Sequence, residues 1–157
     1  SFLSLWSYAA EQTSYVSKTD QINLAAAKEL GNRIQKASEA QGKSVTIAVV
    51  GLQGETILIY RGDGVGPHNT EAARRKAFTS LSTKTATLLL ARNARSQSDT
   101  QNLANLPELL LLGGGRPLWK EGKVIGAVGV AGGGGPENDD LLASKAVLTE
   151  AGICTGK

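Results

Sequence analysis

Residues 109–142 read LLLLGGGRPLWKEGKVIGAVGVAGGGGPENDDLL, and this stretch decides the fold. Leu109–Leu112 is a short apolar run, which is typical of a strand buried on both faces. Arg116–Lys120 and Lys123–Val130 flank the dipeptide Glu121-Gly122, a two-residue loop in which glycine adopts a positive φ easily. The stretch therefore predicts a strand, a β-hairpin, a glycine-rich corner and the start of a helix.

Glycines interrupt the second strand of this predicted hairpin. Gly126 and Gly129 lack a Cβ, and a glycine inside a strand weakens it. Such glycines usually mark a place where something approaches the backbone closely. That neighbour could be a helix, another subunit or a flat ligand.

The first half of the chain predicts one helix and two strands. Thr19 or Asp20 caps a helix whose apolar side chains repeat at helical spacing, namely Ile22, Ala26, Leu30, Ile34 and Ala37. Val45–Val50 and Thr56–Tyr60 follow as strands. The turn between them is so short that the two strands must be antiparallel.

The remaining elements complete an α+β pattern. Asn69 or Thr70 caps the next helix, which breaks near Ser82 and restarts from Thr83, because residues 79–87 are rich in Ser and Thr. Residues 96–104 are predicted as a loop, and residues 136–152 as a final helix. The pattern predicts a five-stranded, mostly antiparallel sheet covered by helices, an α-β-α sandwich of the profilin-like type, as a single domain over residues 1–157.

Composition excludes several classes of protein. The chain has 157 residues, a net charge of +3 and one cysteine, Cys154, so it forms no internal disulfide. No apolar run approaches the roughly 20 residues that a transmembrane helix needs. The charge is too small to indicate nucleic-acid binding without a motif. A start at Ser1 fits either a cytoplasmic chain that has lost its methionine or a processed secreted or periplasmic one.

The N-terminal segment is unusually aromatic. Residues 1–18 hold four of the seven aromatic side chains, Phe2, Trp6, Tyr8 and Tyr15. They fit either a short helix on the chain's own core or an arm that docks on a neighbouring subunit. We expect a homo-oligomer larger than a dimer, to which this arm contributes.

Several motifs could carry chemistry. The sequence GGGGPENDD lacks the Lys-Ser/Thr pair of a phosphate loop, and its acids would repel phosphate, so we expect a structural corner. His68 lies in a Gly/Pro loop before a helix, where functional groups often lie, although a lone loop histidine is usually only a surface residue. Arg74, Arg75 and Lys76 form either a solvated helix face or an anion site.

Taken together, these motifs resemble a known family. Gly66-Pro67-His68, the run EAARRKAFT, the segment GGGRPLWKEGKVIGAVGVAG and the run ENDDLLASKA are similar to the GlcG/HbpS-like haem-binding family. The resemblance covers residues 20–153. It implies the helix-covered antiparallel sheet described above, haem binding in some members, and ring-shaped homo-oligomers, often octamers.

Two functional hypotheses from different classes follow, beside a third in which the chain only assembles. In the first the chain binds haem, with His68 as the metal ligand, Tyr60 as a weaker donor, and cations for the two propionates from Arg61, Arg74, Arg75 and Lys76. In the second it is a lyase-like enzyme acting on an aromatic or short-chain carboxylic acid. His68 would then be the general acid or base, and the same cations would bind this small anionic ligand.

Overall fold

The computed structural model describes residues 14–156 and shows one four-stranded antiparallel sheet. Its strands are β1 (Thr46–Val50), β2 (Thr56–Arg61), β3 (Gly115–Lys120) and β4 (Lys123–Ala131). They lie in the order β2-β1-β4-β3, so two hairpins meet where β1 pairs with β4. The prediction of an antiparallel sheet is confirmed, but the predicted number of five strands is wrong, because the sheet has four.

The prediction of a fifth strand over Leu109–Leu112 is wrong. These residues lie outside the sheet because side chains of neighbouring helices take up their peptide groups. The amide of Leu110 donates to Thr79 Oγ1 at 2.9 Å, and the carbonyl of Leu112 accepts from Thr87 Oγ1 at 2.7 Å. A chain whose backbone groups are satisfied in this way has no need of a neighbouring strand.

Five α-helices cover the sheet in the described part of the chain: α1 (Leu24–Ala40), α2 (His68–Thr83), α3 (Thr87–Ser96), α4 (Ser98–Gln101) and α5 (Pro136–Ala143). Side-chain alternation along β1 divides the core into two layers. Ile47 and Val49 pack in the layer that contains α1 and α5. Ala48 and Val50 pack against α2 on the opposite face. The three-layer arrangement follows from the period of two along each strand.

Helix boundaries differ from the prediction at both ends of the chain. Asn23 caps α1 by accepting a hydrogen bond from the Ala26 amide at 2.9 Å, so neither Thr19 nor Asp20 is the cap. Ile22 instead lies before the helix, and its amide donates to the Ile125 carbonyl at 2.9 Å. The final helix ends at Ala143 rather than Gly152, because the chain turns back into an antiparallel bridge between Leu148 and Ile153.

The predicted break near Ser82 is confirmed, with α2 ending at Thr83. Lys84 adopts a left-handed conformation with φ of 52°, which stops the helix. α3 then starts at Thr87, four residues after the predicted restart at Thr83. The predicted loop over 96–104 contains the short helix α4 and a 3₁₀ turn over Asn102–Asn105.

The glycines of β4 approach other elements of the same chain. A Cβ on Gly129 would overlap the carbonyl oxygen of Ala73 in α2, and one on Gly126 would meet Ile22. Small residues therefore let α2 lie directly on the sheet. At the hairpin turn, Glu121 and Gly122 have φ of 50° and 75°, as a two-residue turn with both central residues left-handed requires.

Most of the aromatic arm predicted over residues 1–18 lies outside the described residues. Its last part is exposed, with 94% of Tyr15 and 80% of Val16 accessible to solvent. Within residues 14–156 no helix is both long enough and apolar enough to cross a membrane.

Candidate functional site

His68 occupies the first position of α2, at the end of the loop that follows β2. The residue at the cap position is therefore Pro67, and neither Asn69 nor Thr70 is the cap. The imidazole is exposed, and it lies over Gly66, where an added Cβ would be 3.2 Å from the ring carbon Cε1. Buried Val65 anchors the loop beneath it. His68 is thus presented to solvent from a loop held in place by its neighbours.

Arg61 lies at the same end of the sheet as His68, because it ends the strand that leads into this loop. One of its terminal nitrogens, Nη2, donates to the Val65 carbonyl at 2.7 Å, and the residue is otherwise exposed. The guanidinium therefore braces the loop and still faces solvent. It remains able to meet an anion bound near His68.

Tyr60, the weaker donor of the prediction, lies on the other face of the sheet. A Cβ on Gly31 of α1 would be 2.9 Å from the Tyr60 ring, so this ring packs against α1. Successive residues of a strand point to opposite faces, and α2 with His68 covers the face opposite α1. The sheet therefore separates Tyr60 from the basic residues of α2.

Arg74 and Arg75, the two arginines of α2, already bind other groups of the protein. Arg74 pairs with Glu71 and, at 3.2 Å, with Glu108. Its hydrogen bond to Glu71 lowers the pKa of the Glu71 carboxyl and raises the pKa of Arg74 itself. Arg75 donates from Nη2 to the Pro107 and Leu109 carbonyls, so it holds the segment that precedes β3.

Lys76 is buried, with only 1% of the residue accessible to solvent. Its ammonium lies 3.0 Å from the Asp139 carboxylate and donates to the Val130 carbonyl at 3.0 Å. Burial lowers the pKa of Lys76, and the negative charge of Asp139 offsets part of that effect. A ligand carboxylate could reach this ammonium only by breaking the pair.

The acidic residues of the glycine-rich corner have structural partners. Pro136 begins α5 and Glu137 lies in its first turn, as predicted. Asp139 also accepts the Gly133 amide at 2.8 Å, which fixes the corner around the Lys76 ion pair. Asp140 receives two hydrogen bonds from Arg116, at 2.9 and 2.7 Å. These contacts agree with the prediction that the GGGGPENDD segment is a structural corner.

The spacing of residues along α2 indicates that Lys76 is buried and paired. Ala73, Ala77 and Ser80 are fully buried on one face of α2, and Lys76 lies on that same face. A lysine in a buried helical stripe requires an acidic partner, because an unpaired buried charge is costly. The three consecutive basic residues thus have different environments, two partly exposed and one internal.

A cleft that the sequence did not indicate lies at the opposite end of the sheet. It encloses about 730 Å³ between the β1–β2 turn, the β3–β4 hairpin and the C-terminal end of α2. Phe78, Leu81, Trp119 and Val124 provide apolar walls. Three lysines and one aspartate also line it, namely Lys18, Lys84, Lys123 and Asp20.

The cleft and His68 are far apart. His68 begins α2 and Phe78 lies ten residues further along, a separation of about 15 Å along a helix axis at its usual rise per residue. Among residues 14–156 no three or more His, Cys, Asp or Glu side chains are grouped to hold a bare metal ion. A haem iron needs fewer ligands from the protein, since the porphyrin supplies four of them.

These features define a class of protein, a small α+β domain with an antiparallel sheet between helical layers and an exposed loop histidine. Residues 22–148 match the family model described as "Haem degrading protein HbpS-like". The chain therefore belongs to the HbpS-like family, and the resemblance recognised in the sequence is confirmed.

Individual relatives agree with this assignment. A Citrobacter freundii protein, described as an uncharacterized 15.0 kDa protein of the dhaT-dhaS intergenic region, is 32% identical over 80% of this chain and 89% of its own length. A double mutant of Streptomyces reticuli HbpS is 31% identical, with a TM-score of 0.80 over 87% of this chain and 92% of that one.

A more distant structure shares the fold. The crystal structure of a PduOC–heme complex is 23% identical, with a TM-score of 0.76 over 87% of this chain and 99% of that chain. At this identity the likeness shows the fold alone.

Proposed function

We propose that this protein binds haem and that His68 supplies the axial ligand to the iron. The observation that carries the proposal is the exposed imidazole of the chain's one histidine, held on a braced loop in a domain of the HbpS-like family. Haem bound here would supply the redox chemistry of its iron. The description of the family, a haem-degrading protein, supports the same cofactor.

The donor chemistry at this end of the sheet fits haem. A neutral imidazole is a common axial ligand, and His68 presents its ring to solvent without a hydrogen-bonding partner among residues 14–156. Arg61 is the cation best placed for a propionate, because its guanidinium is exposed beside the same loop. Arg74 would have to share its charge with Glu71 and Glu108.

We further propose that the chain works as a homo-oligomer larger than a dimer. His68 lies on an open surface, whereas haem needs apolar cover over most of its ring. A second copy could provide that cover and would also bury exposed apolar side chains, of which Leu24, Leu89, Leu106 and Leu141 are about half accessible. Light scattering at micromolar concentration should give a mass of several subunits. A mass near 16.3 kDa would contradict this proposal.

Hemin titration of the purified protein tests the ligand assignment. We expect a saturable Soret shift at about one hemin per chain, lost or displaced in His68→Ala. Lys36→Glu is the control, since this exposed lysine lies on α1, across the sheet from α2. An unchanged titration in His68→Ala would remove this histidine as an essential ligand. Lost turnover of a carboxylic acid with only non-specific hemin uptake would favour the enzyme instead.

A further inference from the structure

We propose that the cleft at the hairpin end of the sheet binds a flat aromatic anion, independently of His68 and of haem. The cleft measures about 730 Å³, within the usual range of roughly 300–1,000 Å³ for small-molecule sites. It combines aromatic walls with a positively charged rim. That combination suits a planar apolar body that carries a carboxylate, sulfonate or phosphate.

The walls of the cleft are held in place by the fold. Gly54 has φ of 81°, and the Phe78 ring packs so closely on it that an added Cβ would be 2.8 Å away. Trp119 forms a backbone bridge with Cys154, with amide–carbonyl distances of 2.7 and 3.0 Å. Both aromatic walls therefore rest on backbone that is already ordered, and binding needs little rearrangement.

Among residues 14–156, the charged residues that line the cleft are three lysines and Asp20. The exposed ammonium groups of Lys84 and Lys123 make no hydrogen bond or ion pair with other residues of the described chain, 14–156.

Among residues 14–156, no histidine, cysteine or tyrosine lines the cleft, and the cleft lies about 15 Å along α2 from His68. Recognition would rest on ring stacking against the half-buried Phe78 and on charge at the rim, while Trp119, which is only 7% accessible, adds an apolar edge. The expected ligand is therefore a metal-free aromatic acid.

Isothermal titration calorimetry with 2-naphthoate and its neutral analogue 2-naphthamide tests the proposal. Wild-type protein should bind one naphthoate saturably. The double variant Lys84→Gly/Lys123→Glu should weaken naphthoate binding by about five- to tenfold, the effect of losing two exposed ion pairs, and leave naphthamide within about twofold. Raising the salt concentration should produce the same selective loss.

Two further variants make the outcome decisive. Ser82→Trp places a bulky ring at an exposed position of the cleft lining, so it should abolish binding of both compounds. Lys36→Glu reverses the charge of one exposed lysine on α1, as Lys123→Glu does at the hairpin, and should leave both affinities unaltered. No saturable naphthoate binding by the wild-type protein would overturn the proposal, as would equal affinities across all variants. His68→Ala should bind naphthoate normally whether or not haem binding survives.

Discussion

The two ends of α2 present two different kinds of surface. At the N-terminal end an exposed imidazole lies on an open loop, next to an arginine that braces it. At the C-terminal end aromatic side chains wall a cleft that has a cationic rim and no histidine in its lining. The N-terminal end has a side chain that can ligate a metal but no surrounding pocket. The C-terminal end has a pocket but no histidine to ligate a metal. A single helix can therefore serve two ligands of different chemistry.

The middle of α2, between these two ends, is fixed to the rest of the domain. Lys76 joins the helix to β4 and α5 through the Val130 carbonyl and Asp139, and Gly129 lets the helix backbone lie directly on the sheet. Changes in this middle section should destabilise the whole domain. Changes at either end should alter binding and leave the fold intact.

The largest expected effect comes from Lys76→Met, which leaves Asp139 buried without its cation. Loss of one partner of a buried pair costs about 3–5 kcal/mol of unfolding free energy. Chemical denaturation should show that loss, and Lys76→Met/Asp139→Leu should recover part of it. A cost below about 1 kcal/mol would mean that the pair does not hold the middle of α2, and the two ends could not then be treated separately.

Gly129→Ala should have the next largest effect. Its new methyl group would overlap the Ala73 carbonyl oxygen and force α2 away from β4. Overpacking of this kind costs about 1–3 kcal/mol, measured as a lower denaturation midpoint. Gly156→Ala is the matched control, because a Cβ there meets nothing within 4 Å. Equal stability of the two variants would show that α2 tolerates displacement from the sheet.

Lys84→Gly should give the smallest effect on the fold and should raise its stability. Lys84 has φ of 52°, a conformation that glycine adopts without the steric cost of a Cβ. We expect a gain of about 0.5–1 kcal/mol in thermal or chemical unfolding, net of the entropy that glycine adds to the unfolded chain. Lower stability would indicate that the ammonium makes a stabilising contact. That result would remove Lys84 from the rim available to ligands.

The sequence predicted one end of α2 much better than the other. The loop, the helix and His68 are contiguous in the chain, so turn residues and caps were enough to locate them. The cleft brings together Gly54, Phe78 and Trp119, which are distant in sequence and share no motif. Its existence depends on how the two hairpins pack against α2.

Backbone hydrogen bonds explain the main error in the fold. The β3–β4 hairpin was predicted correctly because Glu121-Gly122 specifies its turn locally. Leu109–Leu112 has the composition of a buried strand, yet its Leu110 amide and Leu112 carbonyl bind the hydroxyl groups of Thr79 and Thr87. Apolar composition indicates that a segment is buried, but it does not identify the partner of its amide groups. In the same way, the buried stripe of α2 indicates that Lys76 is internal, but it does not identify Asp139 as its partner.

The central claim is that the two ends of α2 hold two separate sites, and a competition experiment tests it most directly. Hemin is titrated into wild-type protein with and without saturating 2-naphthoate, and the Soret band is followed. The two-site account predicts the same stoichiometry of about one hemin per chain and a hemin dissociation constant unchanged within about twofold. Progressive displacement of hemin by naphthoate, with a rising apparent dissociation constant, would contradict it and assign both ligands to one site.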